Sequence, residues 1–256
     1  MDIVLLGSGN VATHLGKALM LAGHNIIEVW SRTFQNAQIL AVQLQSEAIS
    51  EISQITKNGD IYIISVSDDA IRNVARLLHV QDKLIIHTSG STELNVLKDF
   101  SSRVGVLYPL QTFSKFREMN FKNIPLIVEG SSDVVTENLK KMALQLSSKV
   151  YSLDSNQRQV LHISAVFACN FTNHLFVIAE NLLEKHAIDF DMLRPLITET
   201  VEKIITNSPA KVQTGPAVRN DNITIEKHLV FLRNSPDLQA VYQLLSQSIV
   251  NLKNHT

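Results

Sequence analysis

The chain has 256 residues, of which 45% are hydrophobic and 18% are charged, and its formal net charge is −1. This composition is typical of a globular protein, and the length favours two domains over one. A charge so close to zero argues against a basic surface for nucleic acid and against a polybasic membrane arm.

The cysteine count and the opening residues bear on the compartment. Cys169 is the only cysteine, so the chain cannot form an internal disulfide, and a reducing compartment is favoured. The sequence opens directly into an apparent strand without a basic leader region, and we expect no apolar stretch to approach the roughly 18 residues that span a bilayer. The prediction is a cytoplasmic protein that binds neither nucleic acid nor membrane.

The first 150 residues alternate short β-rich runs with amphipathic helical patterns. Strands are predicted over residues 3–6, 26–30, 61–65, 84–88, 104–107, 125–128 and 149–152, and helices over 12–22, 69–78 and 132–146. Continuous apolar strands separated by helices indicate a mostly parallel sheet that is covered on both faces.

The pattern becomes entirely helical after Leu153. Helices are predicted over 155–185, from Asp189 to about 207, and over 223–233 and 236–253, with a break at 208–221 where two prolines and a glycine occur. The predicted fold class is therefore α/β, with a doubly wound Rossmann-like sheet over residues 1–153 and a smaller all-helical domain over 154–256.

The stretch "GSGNVA", residues 7–12, lies between the first strand and the first helix. In a dinucleotide loop Gly7 would make the tight turn, Gly9 would let the backbone approach a pyrophosphate, and Ala12 would allow close helix–strand packing. A purely structural turn is the alternative, but the strand before it and the helix after it favour nucleotide binding.

The end of the second strand distinguishes between the two common dinucleotides. It reads Ser31-Arg32-Thr33, where NAD-binding proteins place a carboxylate for the ribose hydroxyls. Glu28 is the nearest carboxylate, and it lies inside the strand. Because Arg32 can pair with a 2′-phosphate or stack on adenine, NADP is the predicted cofactor, although an ordinary exposed arginine is the alternative.

Two further strand ends, "ISVSDDAI" and "IIHTSGSTEL", carry polar clusters that belong at the same edge of the sheet. In the first, Asp68 and Asp69 are interpreted as helix caps. In the second, His87 either donates to the cofactor carboxamide, acts as an acid, or is a satisfied histidine at the strand end. The predicted cofactor-binding residues are Gly7, Ser8, Gly9, Asn10, Val11, Ser31, Arg32, Thr33, Ser65, Val66, Ser67, His87 and Thr88.

Residues 89–91 are expected beside the reactive end of the cofactor. Ser89, Gly90 and Ser91 are therefore predicted to contact the substrate. A nucleophilic serine here would imply a hydrolase, but the stretch lacks the G-x-S-x-G elbow and has no evident acid and base partners.

The segment "QRQVLHISAVFACNFTNHL", residues 157–175, places polar groups on an apolar helix. His162, Val166 and Asn170 share one face at i, i+4 and i+8. We predict that His162 is a proton donor, that Asn170 orients the substrate, and that Asn173 contacts it. Hydrogen bonds to the backbone or to neighbouring helices are the alternative. No ligand spacing such as H-x-x-x-H occurs, so no metal is predicted.

The loop "QTGPAVRND", residues 213–221, contributes a last candidate. Arg219 either binds a substrate carboxylate or forms a structural ion pair, and for Asp221 the structural role is favoured.

Taken together, "GSGNVA", "SVSDDAI", "HTSGS", "YPLQTFS", "HISAVFACNFTNHL" and "TGPAVRNDNITIEKHL" resemble a bacterial family in which a Rossmann-like domain precedes a helical domain of unknown function. The N-terminal half is also similar to pyrroline-5-carboxylate reductase and other relatives of 6-phosphogluconate dehydrogenase. The resemblance implies NADP-linked reduction and a homodimer formed through the helical domain.

Two positions depart from the patterns of these relatives. Tyr108 stands where a histidine is expected in an "HPLQTF" motif, so the resemblance assigns it no catalytic role. The helix that carries His162 and Asn170 lacks the lysine and asparagine pair of the β-hydroxyacid dehydrogenases. The identity of the catalytic acid is therefore not carried over from any relative.

The predicted function is an NADP-dependent oxidoreductase that acts on a small, carboxylate-bearing carbonyl or imine in an interdomain cleft. The alternative is a non-catalytic NADP-binding sensor or scaffold, and the hydrolase is the least favoured hypothesis.

Overall fold

The structure is a computed structural model that describes residues 1–80, 82–114 and 117–253. It divides into two compact units, Met1–Asn170 and Phe171–Thr256.

The first unit is built on an eight-stranded sheet. Its strands are β1 (Asp2–Leu6), β2 (Asn25–Trp30), β3 (Glu47–Ile49), β4 (Ile61–Ile64), β5 (Leu84–His87), β6 (Arg103–Pro109), β7 (Leu126–Gly130) and β8 (Val150–Ser152). Their order is β3-β2-β1-β4-β5-β6-β7-β8, and only the β6–β7 pair is antiparallel. This arrangement confirms the predicted doubly wound α/β class.

The described residues of the first unit form five α-helices: α1 (Asn10–Leu21), α2 (Phe34–Leu44), α3 (Ile71–Leu77), α4 (Asp133–Leu146) and α5 (Ser155–Ala165). Alternate residues of β1 supply two separate cores, because Ile3 and Leu5 pack on the side of α1, α2 and α4, whereas Val4 and Leu6 pack on the side of α3. Helices therefore cover both faces of the sheet, as the continuous apolar strands predict.

Two elements were missed at the sequence level. Helix α2 buries Ala37, Leu40, Ala41 and Leu44, and this i, i+3, i+4, i+7 pattern is visible in the sequence. Strand β3 has only three residues, and it forms because it pairs in parallel with β2.

After Ser152 the described residues form helices and no strand. The long predicted helix continues from α5 through a π-helical turn (Val166–Phe171) into α6 (Thr172–Glu184). Three more helices follow: α7 (Arg194–Thr206), α8 (Asn222–Phe231) and α9 (Pro236–Lys253). The predicted domain boundary at residue 153 marks the end of the strands and stays a prediction, since the compact units divide within the long helix.

The hydropathy of this helix corrects one expectation. Ser155–Glu184 contains an 18-residue window of mean hydropathy 1.4, and none of that window is buried within the chain. The expectation that no apolar stretch approaches the length of a membrane span is therefore wrong as a statement about length and composition. Core helices of soluble proteins can have the same length and hydropathy. Because this helix is not buried within the chain, another surface must cover its apolar face.

Candidate functional site

A cavity of about 1140 Å³ lies in the first unit, where the carboxyl ends of the parallel strands meet. Its lining includes residues that follow β1, β2, β4 and β5, the end of β6, and one side of α5 and the π-helical turn. This is the edge at which doubly wound sheets bind their ligands. We call residues 7–11 and 31–33 the glycine wall, and Gly90, Tyr108 and His162 the histidine wall; both line the cavity.

Gly7 makes the turn out of β1. Its φ is +128°, and a Cβ added there would lie 2.0 Å from the Ser65 carbonyl oxygen. Its N–H donates to the Trp30 carbonyl at 2.7 Å. Gly7 therefore holds the ends of β1, β2 and β4 together, and a side chain at this position is excluded by both backbone conformation and space.

Gly9 has the opposite surroundings. It is the N-cap residue of α1, no side chain caps the helix, and a Cβ added to Gly9 would meet no atom within 4 Å. The helix N-terminus therefore presents free N–H groups and the positive end of its dipole to open space. An anion fits there, as the fingerprint predicts.

The end of β2 carries no carboxylate toward the cavity. Glu28 is buried and accepts the Thr56 N–H at 2.9 Å, and burial raises the pKa of its carboxyl group. The buried Ser31 hydroxyl accepts a hydrogen bond from Ser8 at 2.7 Å, which ties the two parts of the glycine wall together. Arg32 is exposed, lines the cavity, and forms no ion pair with the described residues.

The polar residues after β4 and β5 meet between the two walls. Ser65, Val66, Ser67 and Thr88 all line the cavity, and the Thr88 hydroxyl donates to the Ser65 hydroxyl at 3.1 Å. The structure thus brings these predicted cofactor residues to one place, while their contacts with a cofactor stay predictions.

His87 lies behind this lining. It is fully buried, and its Nδ1 accepts the Ser89 N–H at 3.1 Å. Burial, reinforced by the charge of Arg158, lowers the pKa of His87 to about 4 against the opposing influence of Asp68 and the Glu93 backbone. This geometry favours a neutral imidazole that accepts a hydrogen bond from the following loop, and the contact of His87 with the cofactor stays a prediction.

The serines of this loop are occupied by local hydrogen bonds. The Ser89 hydroxyl accepts the N–H groups of Ser91 and Thr92, and the Ser91 hydroxyl donates to Asp68. Ser89 and Gly90 line the cavity, whereas Ser91 is not among the lining residues. Within the described residues no histidine bonds to either hydroxyl, so the structure gives the hydrolase hypothesis no support.

The most heavily bonded side chain of the site was missed at the sequence level. Arg158 of α5 is fully buried, and its guanidinium donates to the carbonyls of Ser89, Gly90 and Thr92 at 3.0, 3.2 and 2.7 Å. It also pairs with Glu129 of β7 at 2.8 Å. An arginine in a helix normally indicates a solvated surface. The one available signal was its position one turn before His162, which places both residues on the same face of the helix.

The histidine wall stands on this anchored loop. His162 Nδ1 lies 3.0 Å from the Tyr108 hydroxyl oxygen, and the two rings meet edge to face with centroids 5.8 Å apart. A Cβ added to Gly90 would lie 2.6 Å from His162 Nδ1 and 2.7 Å from Tyr108 Cζ. Both rings therefore pack directly on the Gly90 backbone, which explains why this position needs a glycine.

The rest of the long helix contributes unevenly. Val166 and Asn170 line the cavity with His162, as predicted for one helix face, and Ala165 and Cys169 join them around the π-helical turn. Such a turn inserts an extra residue and widens the set of side chains that face one direction.

Two predicted substrate contacts belong to the second unit and stay predictions. They are Asn173 in α6 and Arg219 in the loop before α8. Asp221 caps α8 by accepting the Thr224 N–H at 3.1 Å, which confirms its favoured structural role.

A strap that begins at the last residue of β6 lines the cavity and was also missed as part of the site. Residues 109–113 line the cavity. Asn10 donates to the Phe113 carbonyl at 2.9 Å, and the His14 and Phe113 rings stack with centroids 5.4 Å apart. The motif "YPLQTFS" thus joins the two walls, because its first residue lies in the histidine wall and its end packs on α1.

The described residues contain no group of three or more histidine, cysteine or carboxylate side chains placed to hold a metal ion.

Two family models match the chain. Residues 2–90 match the model described as NADP oxidoreductase, coenzyme F420-dependent, and residues 124–249 match the domain of unknown function DUF2520. These matches confirm the resemblance drawn from the motifs and NADP as the predicted cofactor.

Solved structures agree with this. A candidate NADP oxidoreductase of Bacteroides fragilis, BF3122, is 42% identical, covers 98% of each chain and superposes with a TM-score of 0.92. An imine reductase of Myxococcus stipitatus in complex with NADP+ is 15% identical, with 100% and 93% coverage and a TM-score of 0.64. A pyrroline-5-carboxylate reductase of Coxiella burnetii is 14% identical, with 99% and 97% coverage and a TM-score of 0.56. The last two share the fold.

A glutamyl-tRNA reductase of Methanococcus aeolicus is 25% identical over 164 residues. The match covers 59% of this chain and only 42% of that enzyme, so the chain spans less than half of its length.

Proposed function

Since the chain belongs to the NADP oxidoreductase family that joins a Rossmann domain to a DUF2520 domain, we propose that it reduces a small carbonyl or imine compound that carries a carboxylate. The observation that carries this proposal is a single cavity lined both by the glycine wall and by the histidine wall. One end suits a dinucleotide, and the other offers a group that can move a proton.

The glycine wall fits NADP. The space next to Gly9 and the uncapped N-terminus of α1 suit a pyrophosphate, since free N–H groups and the helix dipole both favour an anion. Arg32 suits a 2′-phosphate because it lines the cavity and forms no ion pair with the described residues, and because Glu28 points away. When NADPH is bound, its nicotinamide supplies a hydride.

The chain itself must supply the proton that completes the reduction. His162 suits this role, because it lines the cavity, its ring is held through Nδ1, and no described residue forms a hydrogen bond with Nε2. As negative charge develops on the carbonyl oxygen or imine nitrogen of a substrate, His162 gives it a proton. Asn170, also in the lining, can hold the same substrate through its amide.

The carboxylate of the substrate needs a cationic or amide partner. Arg219 and Asn173 of the second unit are our candidates, as the sequence predicts. Their role is proposed from their chemistry alone.

The test is NADPH oxidation by the purified chain with a panel of 2-oxo acids and cyclic imine carboxylates. We expect turnover with at least one class, and His162→Ala should slow it by about 10²–10⁴-fold while NADPH affinity stays within about twofold. Tight NADPH binding without turnover across the panel would contradict the proposal and favour the sensor alternative.

We also propose that the second unit pairs with a second copy of the chain. Among the described residues after Leu153, Ala217 is the only buried hydrophobic residue. Leu196, Ile205, Ile223 and Leu244 are between 62% and 74% exposed. Apolar surface on this scale normally marks an interface.

Light scattering tests the pairing. The prediction is a particle of twice the 28.6 kDa chain mass at micromolar concentration. A monomer that stays soluble, or a chain that partitions into lipid vesicles through the apolar helix, would contradict it.

A further inference from the structure

The ring of His162 has two neighbours at Nδ1. The Gly90 backbone packs against the ring so closely that an added Cβ would lie 2.6 Å from Nδ1. The Tyr108 hydroxyl lies 3.0 Å from the same nitrogen. Among the contacts of the described residues, Nε2 has no hydrogen-bond partner. One nitrogen is thus fixed by the protein and the other is left for a ligand in the cavity.

The support beneath these rings is rigid. Arg158 lies one turn before His162 on the same helix, and its guanidinium binds the carbonyls of Ser89, Gly90 and Thr92. Tyr108 is itself 9% exposed and belongs to β6, which is paired on both sides. Loop, strand and helix of the first unit therefore fix the two rings relative to each other.

From this arrangement we infer that Tyr108 is the positioning residue for His162: its hydroxyl accepts from Nδ1–H, so that the proton moved during reduction is the one on Nε2. The inference rests on the proposed function and names the atom that acts in it. Tyr108 does not touch the reacting atoms in this account; it acts through His162. This assigns a role to the tyrosine that replaces the histidine expected in an "HPLQTF" motif.

The proton balance follows from this hydrogen bond. The charged imidazole gives its Nε2 proton to the oxygen or nitrogen of the substrate, whose carbon receives the hydride, and the C=O or C=N π bond is thereby reduced. The neutral ring keeps its Nδ1 proton, since that proton is donated to Tyr108, and Nε2 then regains a proton from water. Without Tyr108 the neutral ring loses the partner of its Nδ1–H, so the remaining proton is free to settle on Nε2, and the ring loses the hydrogen bond that orients Nε2 for the next transfer.

The hydroxyl remains protonated throughout. Burial raises the pKa of Tyr108, and the charge of Asp68 acts in the same direction, while the charge of Arg158 partly opposes both. A neutral phenol can accept from Nδ1–H without trapping the proton that the imidazole must release, in contrast to a carboxylate in the same place.

The matched variants are Tyr108→Phe and Tyr62→Phe. Tyr62 is a buried tyrosine of the same unit whose hydroxyl donates to the Thr56 carbonyl at 2.7 Å, and it does not line the cavity. Each change removes one hydroxyl and one hydrogen bond. A general loss of stability therefore affects both variants, and a loss that concerns His162 affects only the first.

The first readout needs no substrate. Nitrogen NMR of the histidine rings, with the His162 signals assigned from His162→Gln, should show the Nδ1–H tautomer in the neutral form of the wild type. Tyr108→Phe should move it toward the Nε2–H tautomer, and Tyr62→Phe should leave it unchanged. An Nε2–H tautomer in the wild type, or no change in Tyr108→Phe, would overturn the inference.

The second readout is kcat with NADPH as a function of pH. We expect Tyr108→Phe to lower kcat by about 10- to 100-fold, to shift the pH profile, and to leave NADPH affinity within about twofold; Tyr62→Phe should retain the wild-type profile. Unchanged kcat in Tyr108→Phe, together with loss in His162→Ala, would overturn the inference and leave the proposed function standing. A tautomer change in a chain that oxidises NADPH with no member of the panel would overturn the proposed function and leave the positioning of the ring standing.

Discussion

The two walls of the cavity differ in how the chain builds them. The glycine wall comes from one strand–turn–helix unit and the end of the neighbouring strand, and its key residues are Gly7, Gly9 and Arg32. The histidine wall comes from residues far apart in the sequence. Gly90 follows β5, Tyr108 lies near the end of β6, and His162 lies on α5. The first depends on backbone geometry, and the second depends on a buried charge network.

The comparison separates a part of the site that the backbone forms from a part that side chains form. Gly7 and Gly9 work because they lack side chains, and their neighbours are main-chain atoms or open space. The histidine wall depends instead on Arg158. Its buried guanidinium donates to three backbone carbonyls of the loop on which the histidine wall stands. Substitutions in the two walls should therefore have different effects on stability and on NADPH binding.

The largest effect is expected at the ion pair behind the histidine wall. Arg158→Met should lower the free energy of unfolding by about 3–5 kcal/mol, because it leaves the Glu129 carboxylate, which is 15% exposed, without its cation. The control is Arg72→Met, whose partner Asp99 is 64% exposed, and it should cost at most about 1 kcal/mol. Chemical denaturation measures both, and equal losses would contradict the central place of Arg158.

A pair of glycine substitutions tests the roles assigned to Gly7 and Gly9 in the glycine wall. Gly7→Ala should cost at least about 3 kcal/mol, because φ is +128° and the new Cβ meets the Ser65 carbonyl at 2.0 Å. Gly9→Ala should cost no more than about 1 kcal/mol, since its Cβ enters open space, yet it should weaken NADPH binding. Thermal unfolding and NADPH titration separate these outcomes; a stable Gly7→Ala or normal NADPH affinity in Gly9→Ala would contradict the account.

Acid should weaken the fold through His87. Its pKa is lowered to about 4 in the folded chain, so the unfolded chain takes up a proton near pH 6.5 while the folded chain resists it. The stability contributed by the neutral ring is complete above pH 6.5 and is lost as the pH falls toward 4, by about 3 kcal/mol in total. Chemical denaturation at several pH values in this interval gives the free energy of unfolding, which should depend less on pH in His87→Asn than in the wild type. The same pH dependence in both proteins would argue against a neutral, buried His87.

The smallest of these effects concerns the second phosphate of the coenzyme. Arg32→Asp should weaken NADPH binding by about 10- to 100-fold, or roughly 1.4–2.7 kcal/mol, because a carboxylate repels the 2′-phosphate. NADH affinity should change by no more than about threefold. Equal losses for both coenzymes in a fluorescence titration would show that Arg32 does not contact the 2′-phosphate.

The two walls also mark how far sequence reasoning reaches. The mostly parallel sheet and the glycine wall follow from local patterns, because hydrophobic periodicity and turn chemistry are encoded in neighbouring residues. Arg158 and Tyr108 were missed as parts of the site, because a buried arginine becomes meaningful only when Ser89, Thr92 and Glu129 surround it. These three partners of Arg158, and the His162 partner of Tyr108, lie between 29 and 69 residues away in the chain, beyond the range of any periodic pattern.

The central claim is that one cavity joins a coenzyme held at the glycine wall to the His162 ring. The most direct test compares NADP+ with 2′-phospho-ADP-ribose, which has the same phosphates and lacks the nicotinamide, while the ring signals of His162 are followed by NMR. We predict that both ligands bind and that only NADP+ shifts the His162 signals. Saturation with NADP+ that leaves those signals unmoved would contradict the account.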